Sequence, residues 1–171
     1  MKILFAASEV APFIKTGGLA DVAGSLPQAL AGAGHEVTVV LPLYQGIGSA
    51  WREQMTFLKW FNIPLSWRQA YCGVFQLERD GVTYWFVDNE YYFKREQIYG
   101  HYDDCERFAF FSRAVLALAE HLDYAPDILH CNDWQTALVP VYLLEEKYRV
   151  PQLANTKTVF TIHNIEYQGR Y

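Results

Sequence analysis

Residues 2–8 (KILFAAS) form an unbroken apolar run, the pattern of a strand covered on both faces. Residues 34–42 (GHEVTVVLP) repeat it, entered through a glycine turn and closed by Pro42. Between them lies IKTGGLADVAG, residues 14–24. It reads as a loop that passes into a helix near Gly18. Pro27, inside that helical pattern, predicts a kink or break. Residues 44–58 predict no definite element. QAYCGVFQLERDGVTYWFVDN, residues 69–89, predicts a β-hairpin turning at Asp80-Gly81. An aromatic-rich loop, YYFKREQIYGHYDD, follows. The clearest helix comes next, with Phe108, Phe111, Val115, Leu118 and Leu122 on one face. Asp103 and Glu106 have capping-box spacing at its start, and with Asp104 they read as a capping cluster on a solvated face. PDILHCND predicts a strand, WQTALVPVYLLEEKYR a helix containing Pro140, and TKTVFTIHN a further strand.

Strands alternating with helices imply an open, doubly wound, Rossmann-like α/β fold, a parallel sheet with an inserted β-hairpin. Such sheets bind ligands at the carboxyl ends of their strands. Three polar groups fall there. Glu9, Lys15, Gly17 and Gly18 follow the first strand. Asn132, Asp133 and Trp134 follow DILHC, and His163 and Asn164 follow TVFTI.

Composition narrows the class. A chain of 171 residues, 51% of them apolar, is about one globular domain. A net charge of −5 disfavours nucleic acid and anionic membranes as partners. No apolar run is long enough to span a bilayer. Three cysteines with no C-x-x-C pair predict reduced thiols and a cytoplasmic location. His130 and Asp133 do not complete a ligand set, so no metal is expected. No serine sits in a nucleophile elbow.

The IKTGGLADVAG loop fits neither a P-loop nor the Gly-x-Gly-x-x-Gly fingerprint. The missing fingerprint argues against a dinucleotide oxidoreductase. Adjacent glycines at a helix start, beside a lysine, still suit a phosphate; a plain glycine turn with an exposed lysine suits them too. Asp133 reads equally as the N-cap of the next helix. Glu9 is either a solvated loop residue or an organiser of the rim. His163, alone at the end of an apolar strand, is either a packed core residue or a ligand contact.

Three stretches, KTGGLADVAGSLPQAL, HCNDWQTALVPVYL and TIHNIEYQG, resemble the ADP-glucose-dependent glycogen and starch synthases. Order and spacing agree across nearly the whole chain, and CERFAFFSRA resembles the family as well. The resemblance implies a retaining glucosyltransferase. Its members move glucose from ADP-glucose to the non-reducing end of an α-1,4-glucan, with no cofactor beyond the donor. It implies two Rossmann-like domains across a cleft, with residues 1–171 forming the N-terminal one, incomplete at its C-terminal end. Lys15, Gly17 and Gly18 then belong to the donor site, and His163 lies at the reacting glucose. Asp21 and Tyr99 fall on the acceptor side; Asp133 and Asn164 complete the substrate-binding set.

In that family a further segment and a second nucleotide-binding domain supply the other diphosphate contacts and the base pocket. Residues 1–171 alone are therefore expected to be inactive, to need that C-terminal domain as partner, and to self-associate through uncovered apolar surface. The alternative is a non-catalytic α-glucan-binding module using Trp51, Trp60, Tyr91, Tyr92 and Tyr99 as exposed sugar-stacking rings.

Overall fold

The computed structural model describes residues 1–170. Seven strands form one sheet: β1 (Lys2–Ala6), β2 (Glu36–Pro42), β3 (Thr56–Leu65), β4 (Arg68–Arg79), β5 (Val82–Asp88), β6 (Ile128–Asn132) and β7 (Lys157–Thr161). Their spatial order is β3-β4-β5-β2-β1-β6-β7. From β5 to β7 every pairing is parallel, whereas β3-β4 and β4-β5 are antiparallel. The expected α/β class holds. The expected hairpin is present as β4 and β5, and β5 pairs with β2 to join it to the main sheet. Asp80 and Gly81 both take positive φ at its turn, 50° and 76°, as a two-residue type I′ turn requires.

The helices are α1 (Gly18–Gly32), α2 (Ser49–Arg52), α3 (Glu90–Phe93), α4 (Asp104–His121) and α5 (Leu138–Glu146). The predicted break at Pro27 does not occur. Leu19, Ala20, Ala23 and Pro27 are all buried, and that packing carries α1 across the missing rung. The WQTALVPVYLLEEKYR helix divides instead into a 3₁₀ turn at Trp134–Thr136 and α5.

The predicted capping box is absent. Asp103 makes no cap bond; its carboxylate pairs with Arg95 at 2.8 Å. Glu106 accepts from the Tyr92 hydroxyl at 2.5 Å and pairs with Arg68. Nor is Asp104 on a solvated face: it is buried against Arg107. The apolar stripe does hold, with Phe108, Phe111, Val115 and Leu118 buried and Leu122 packed at the core's margin. Strand order reverses between β1 and β6, whose carboxyl ends therefore open a crevice where connections depart in opposite directions.

Candidate functional site

The β1–α1 loop is fixed from within. Phe13 packs edge-on against Trp51, Tyr84 and Phe86, with centroids 4.9–5.1 Å away. Val10 and Ile14 exchange backbone hydrogen bonds, and the Ala11 N–H donates to the Ala20 carbonyl at 3.0 Å. A Cβ on Gly24 would stand 2.6 Å from the Ala11 carbonyl oxygen, so this third glycine serves loop–helix contact. Glu9 is buried and organises the rim. One carboxylate oxygen accepts from the Thr16 N–H, from the Thr16 hydroxyl at 2.9 Å and from the Gly17 N–H at 3.2 Å. The Gly17 N–H is therefore already occupied by the protein's own carboxylate. The first-turn N–H groups of α1, starting at Gly18, lie at the helix's positive end. Lys15 Nζ lies 2.7 Å from both oxygens of Asp21, and both side chains are more than half exposed.

β6 grips the segment after β7. Asn132 is fully buried. Its amide nitrogen donates to the Ala6 carbonyl at 3.0 Å, which turns its oxygen toward His163 Nε2 at 2.9 Å. That oxygen can only accept, so Nε2 carries the proton and Nδ1 is left as the neutral ring's acceptor. Asp133 adopts φ 58° and makes no cap bond to the turn that follows; the N-cap reading is excluded. Its carboxylate accepts the His163 backbone N–H at 2.7 Å. His130 Nε2 lies 2.8 Å from the Thr161 hydroxyl. Burial, and then the charge of His163, push the His130 pKa down. The Asn164 side chain caps its own turn by accepting from the Glu166 N–H at 3.0 Å.

The third wall is the segment between α3 and α4. Tyr99 and Ser8 share a 2.6 Å hydrogen bond across 91 residues of sequence. Burial first, and the Glu9 carboxylate second, push the Tyr99 phenol far above its ordinary range. Behind it, Arg107 is fully buried. It donates to the carbonyls of Tyr92 at 2.7 Å and Ile98 at 3.1 Å, and to Asp104, whose other oxygen accepts the Gly100 N–H at 2.7 Å.

These three walls enclose a cleft of about 1660 Å³. Gly17, Gly18, Tyr99, Asp133, His163 and Asn164 line it, together with Glu9, Thr16, Asp104 and Trp134. Lys15 and Asp21 are not among its lining residues; they face each other outside it. Of the five ring residues proposed for sugar stacking, Trp60 and Tyr91 are well exposed, Trp51 and Tyr99 are half-buried, and Tyr92 is buried. Among the described residues no group of His, Cys, Asp and Glu could hold a metal, and no helix is long and apolar enough to cross a membrane. Cys72, Cys105 and Cys131 are unpaired, with burial pushing the Cys131 thiol up to about 12.

The profile of the family described as "Starch synthase catalytic domain" matches residues 2–171. The chain belongs to this family. Relatives agree with the starch synthase profile. The glycogen synthase of Clostridium botulinum (strain Alaska E43 / Type E3) is 55% identical over 170 residues, covering 99% of this chain and 36% of that protein. The glycogen synthase of Geobacillus stearothermophilus is 52% identical over 172 residues, covering 100% and 35%. The chain thus spans about a third of the length of these curated relatives. Among solved structures, the catalytic domain of Starch Synthase IV from Arabidopsis thaliana, bound to ADP and acarbose, superposes with a TM-score of 0.86 at 34% identity. That match covers 98% of this chain and 34% of that one. Within the starch synthase domain, residue order placed Asn132 at the rim but not its hold on His163, and it hid Arg107 and Ser8, whose partners are distant in sequence or buried.

Proposed function

We propose that these residues are the N-terminal domain of a retaining glucosyltransferase that moves glucose from ADP-glucose to the non-reducing end of an α-1,4-glucan. The observation that carries this reading is the convergence of the Glu9-ordered glycine turn, Tyr99 and the doubly held His163 on one cleft at the strand reversal. The family match and the ADP and acarbose bound by the Arabidopsis relative support the two substrates. The first turn of α1 at Gly18 faces the donor's diphosphate. His163, its ring held by Asn132 and its backbone fixed by Asp133, contacts the reacting glucose and supports developing positive charge. Tyr99 and Asn164 shape the sugar subsites.

Lys15 and Asp21 enter this scheme as a surface pair worth under about 1 kcal/mol. Donor diphosphate takes Lys15 from Asp21 at little cost, and the freed Asp21 faces the acceptor. The remaining diphosphate contacts come from a C-terminal domain, so residues 1–171 alone transfer no glucose. Three free thiols accord with a cytoplasmic location.

The test is glucose transfer from labelled ADP-glucose to glycogen, with the full-length protein and with residues 1–171. The full-length protein elongates glycogen; the short polypeptide does not. His163→Ala in the full-length protein lowers kcat by about a hundredfold or more, and Lys15→Ala mainly raises the KM for ADP-glucose. Elongation by residues 1–171 alone would refute the divided donor site. A His163→Ala variant as active as the parent would remove the cleft from the chemistry.

A further inference from the structure

Three consecutive residues at the end of β6, Asn132, Asp133 and Trp134, hold both ends of one loop. At its start, Asn132 accepts from His163 Nε2 at 2.9 Å, and Asp133 accepts from the His163 backbone N–H at 2.7 Å. At its finish, Gly169 lies against the Trp134 ring. A Cβ on Gly169 would stand 2.7 Å from Trp134 Cε3 and 2.9 Å from Cδ2, closer than real Cβ atoms come to a neighbour. Gly169 also takes φ 63°, which penalises residues that carry a Cβ. Two independent demands thus fall on one glycine: a left-handed backbone, and close approach to a ring.

Between its ends the loop is closed on itself. Asn164 Oδ1 accepts the Glu166 N–H at 3.0 Å, and Gln168 Nε2 donates to the Ile165 carbonyl at 2.9 Å. Asn164, Glu166, Tyr167 and Gln168 all line the cleft. The clamp beneath them is stiff. Asp133 holds φ 58° and ψ −177°, a region almost reserved for glycine, which a side-chain-bearing residue keeps only where its surroundings fix it. Trp134 meets Phe108 edge-on with centroids 5.0 Å apart, and Phe108 meets Tyr99 at 5.9 Å. The ring that carries Gly169 is therefore packed onto the α4 wall of the same cleft.

We propose that Trp134 and Gly169 are positioning residues: the ring seats the glycine, and the seat sets the 163–169 loop so that His163 meets the reacting glucose. The inference rests on the function proposed above. The bonds to Asn132 and Asp133 fix where the loop starts. A second anchor fixes the direction in which it runs and the wall it makes. With that end free the loop swings, and water competes for both hydrogen bonds at His163. Misplacing a reacting contact by about 1 Å costs up to about a hundredfold in rate.

The experiment uses the full-length protein with Gly169→Ala, Trp134→Ala and the double variant. Three quantities are read: kcat for glucose transfer from ADP-glucose to glycogen, the Kd for ADP alone by calorimetry, and amide hydrogen exchange of residues 163–170 by mass spectrometry. Either single change should unseat the loop, lower kcat by about tenfold or more and speed exchange in that segment by about tenfold or more. ADP affinity should stay within about twofold, because the first turn of α1 is untouched. The double variant should be little worse than Trp134→Ala, because a Cβ at position 169 then has no ring to strike. Trp134→Ala leaves the glycine intact, so it decides the question where Gly169→Ala does not fold. Faster exchange in a protein whose parent transfers no glucose would leave the seat standing and refute the catalytic reading alone. Parent-like exchange, faster exchange with parent-like kcat, losses that add in the double variant, or a loss of ADP affinity matching the fall in kcat would each overturn the proposal.

Discussion

At the scale of single residues, the cleft depends on side chains whose hydrogen-bonding capacity is fully specified. Asn132 is the clearest case. Its amide nitrogen is bound by the Ala6 carbonyl, so only its oxygen is left for His163. Asn132→Leu keeps the volume but removes the side-chain bond to Ala6 and leaves His163 Nε2 without an acceptor. We expect a loss of about 1–3 kcal/mol in unfolding free energy and a fall in kcat larger than any change in glucan binding. Nitrogen-detected NMR of the parent should place the neutral-ring proton of His163 on Nε2. A proton on Nδ1, or a variant with normal kcat, would contradict this assignment. Sequence order was enough to bring Asn132, Asp133, His163 and Asn164 to one rim, because each stands at or just beyond the carboxyl end of a strand. It left open what Glu9 and Asp133 do. A carboxylate's partners three-dimensionally nearby are not encoded in its immediate neighbours: Glu9 turned inward to Thr16 and Gly17, and Asp133 turned to the His163 backbone.

At the scale of elements, local signals failed where a tertiary partner outcompeted them. Asp103 has the right type and spacing for a cap, yet a guanidinium at 2.8 Å is a stronger partner than a helix N–H. Pro27 is a helix breaker in isolation, and burial of α1 overrides it. β3 lacked a clean alternating pattern because it is an edge strand with a register shift between Phe57 and Lys59. The α3–α4 segment depends most on one buried group. Arg107 ties the carbonyls of Tyr92 and Ile98 to Asp104, and Asp104 holds Gly100, so the backbone on both sides of Tyr99 is fixed from behind. Arg107→Leu leaves Asp104 buried and unpaired, and should cost about 3–5 kcal/mol. Arg107→Lys keeps the charge but not the planar fork, and should recover only part of it. Adding Asp104→Asn to Arg107→Leu removes the stranded charge and should restore stability relative to the single variant. Denaturant unfolding of the parent, Arg107→Leu, Asp104→Asn and the double variant reads this coupling. Additive losses would show that the pair does not act as a unit.

At the scale of the whole molecule, the sheet's two edges are built differently. β3 carries a register shift and Pro64, features that discourage a further strand from pairing. β7 has neither. It pairs with β6 on one side only, and its successive residues Val159 and Phe160 are 44% and 42% exposed although they point to opposite faces. Ile162, Ile165 and Tyr167 continue this apolar surface beyond the strand. Both faces and the free edge of β7 therefore invite contact, and water is a poor occupant for any of them. We expect residues 1–171, prepared alone, to associate with one another in a concentration-dependent way. Replacing Val159 and Phe160 by threonine keeps β-propensity while removing apolar surface, and should shift that equilibrium toward monomer. Trp60→Ala and Tyr71→Ala, at the other edge, should leave it unmoved. Sedimentation velocity across a wide concentration range separates the cases. A single monomeric boundary at every concentration would mean that β7 is not adhesive, and equal effects from both sets of substitutions would mean that its edge is not the one that pairs.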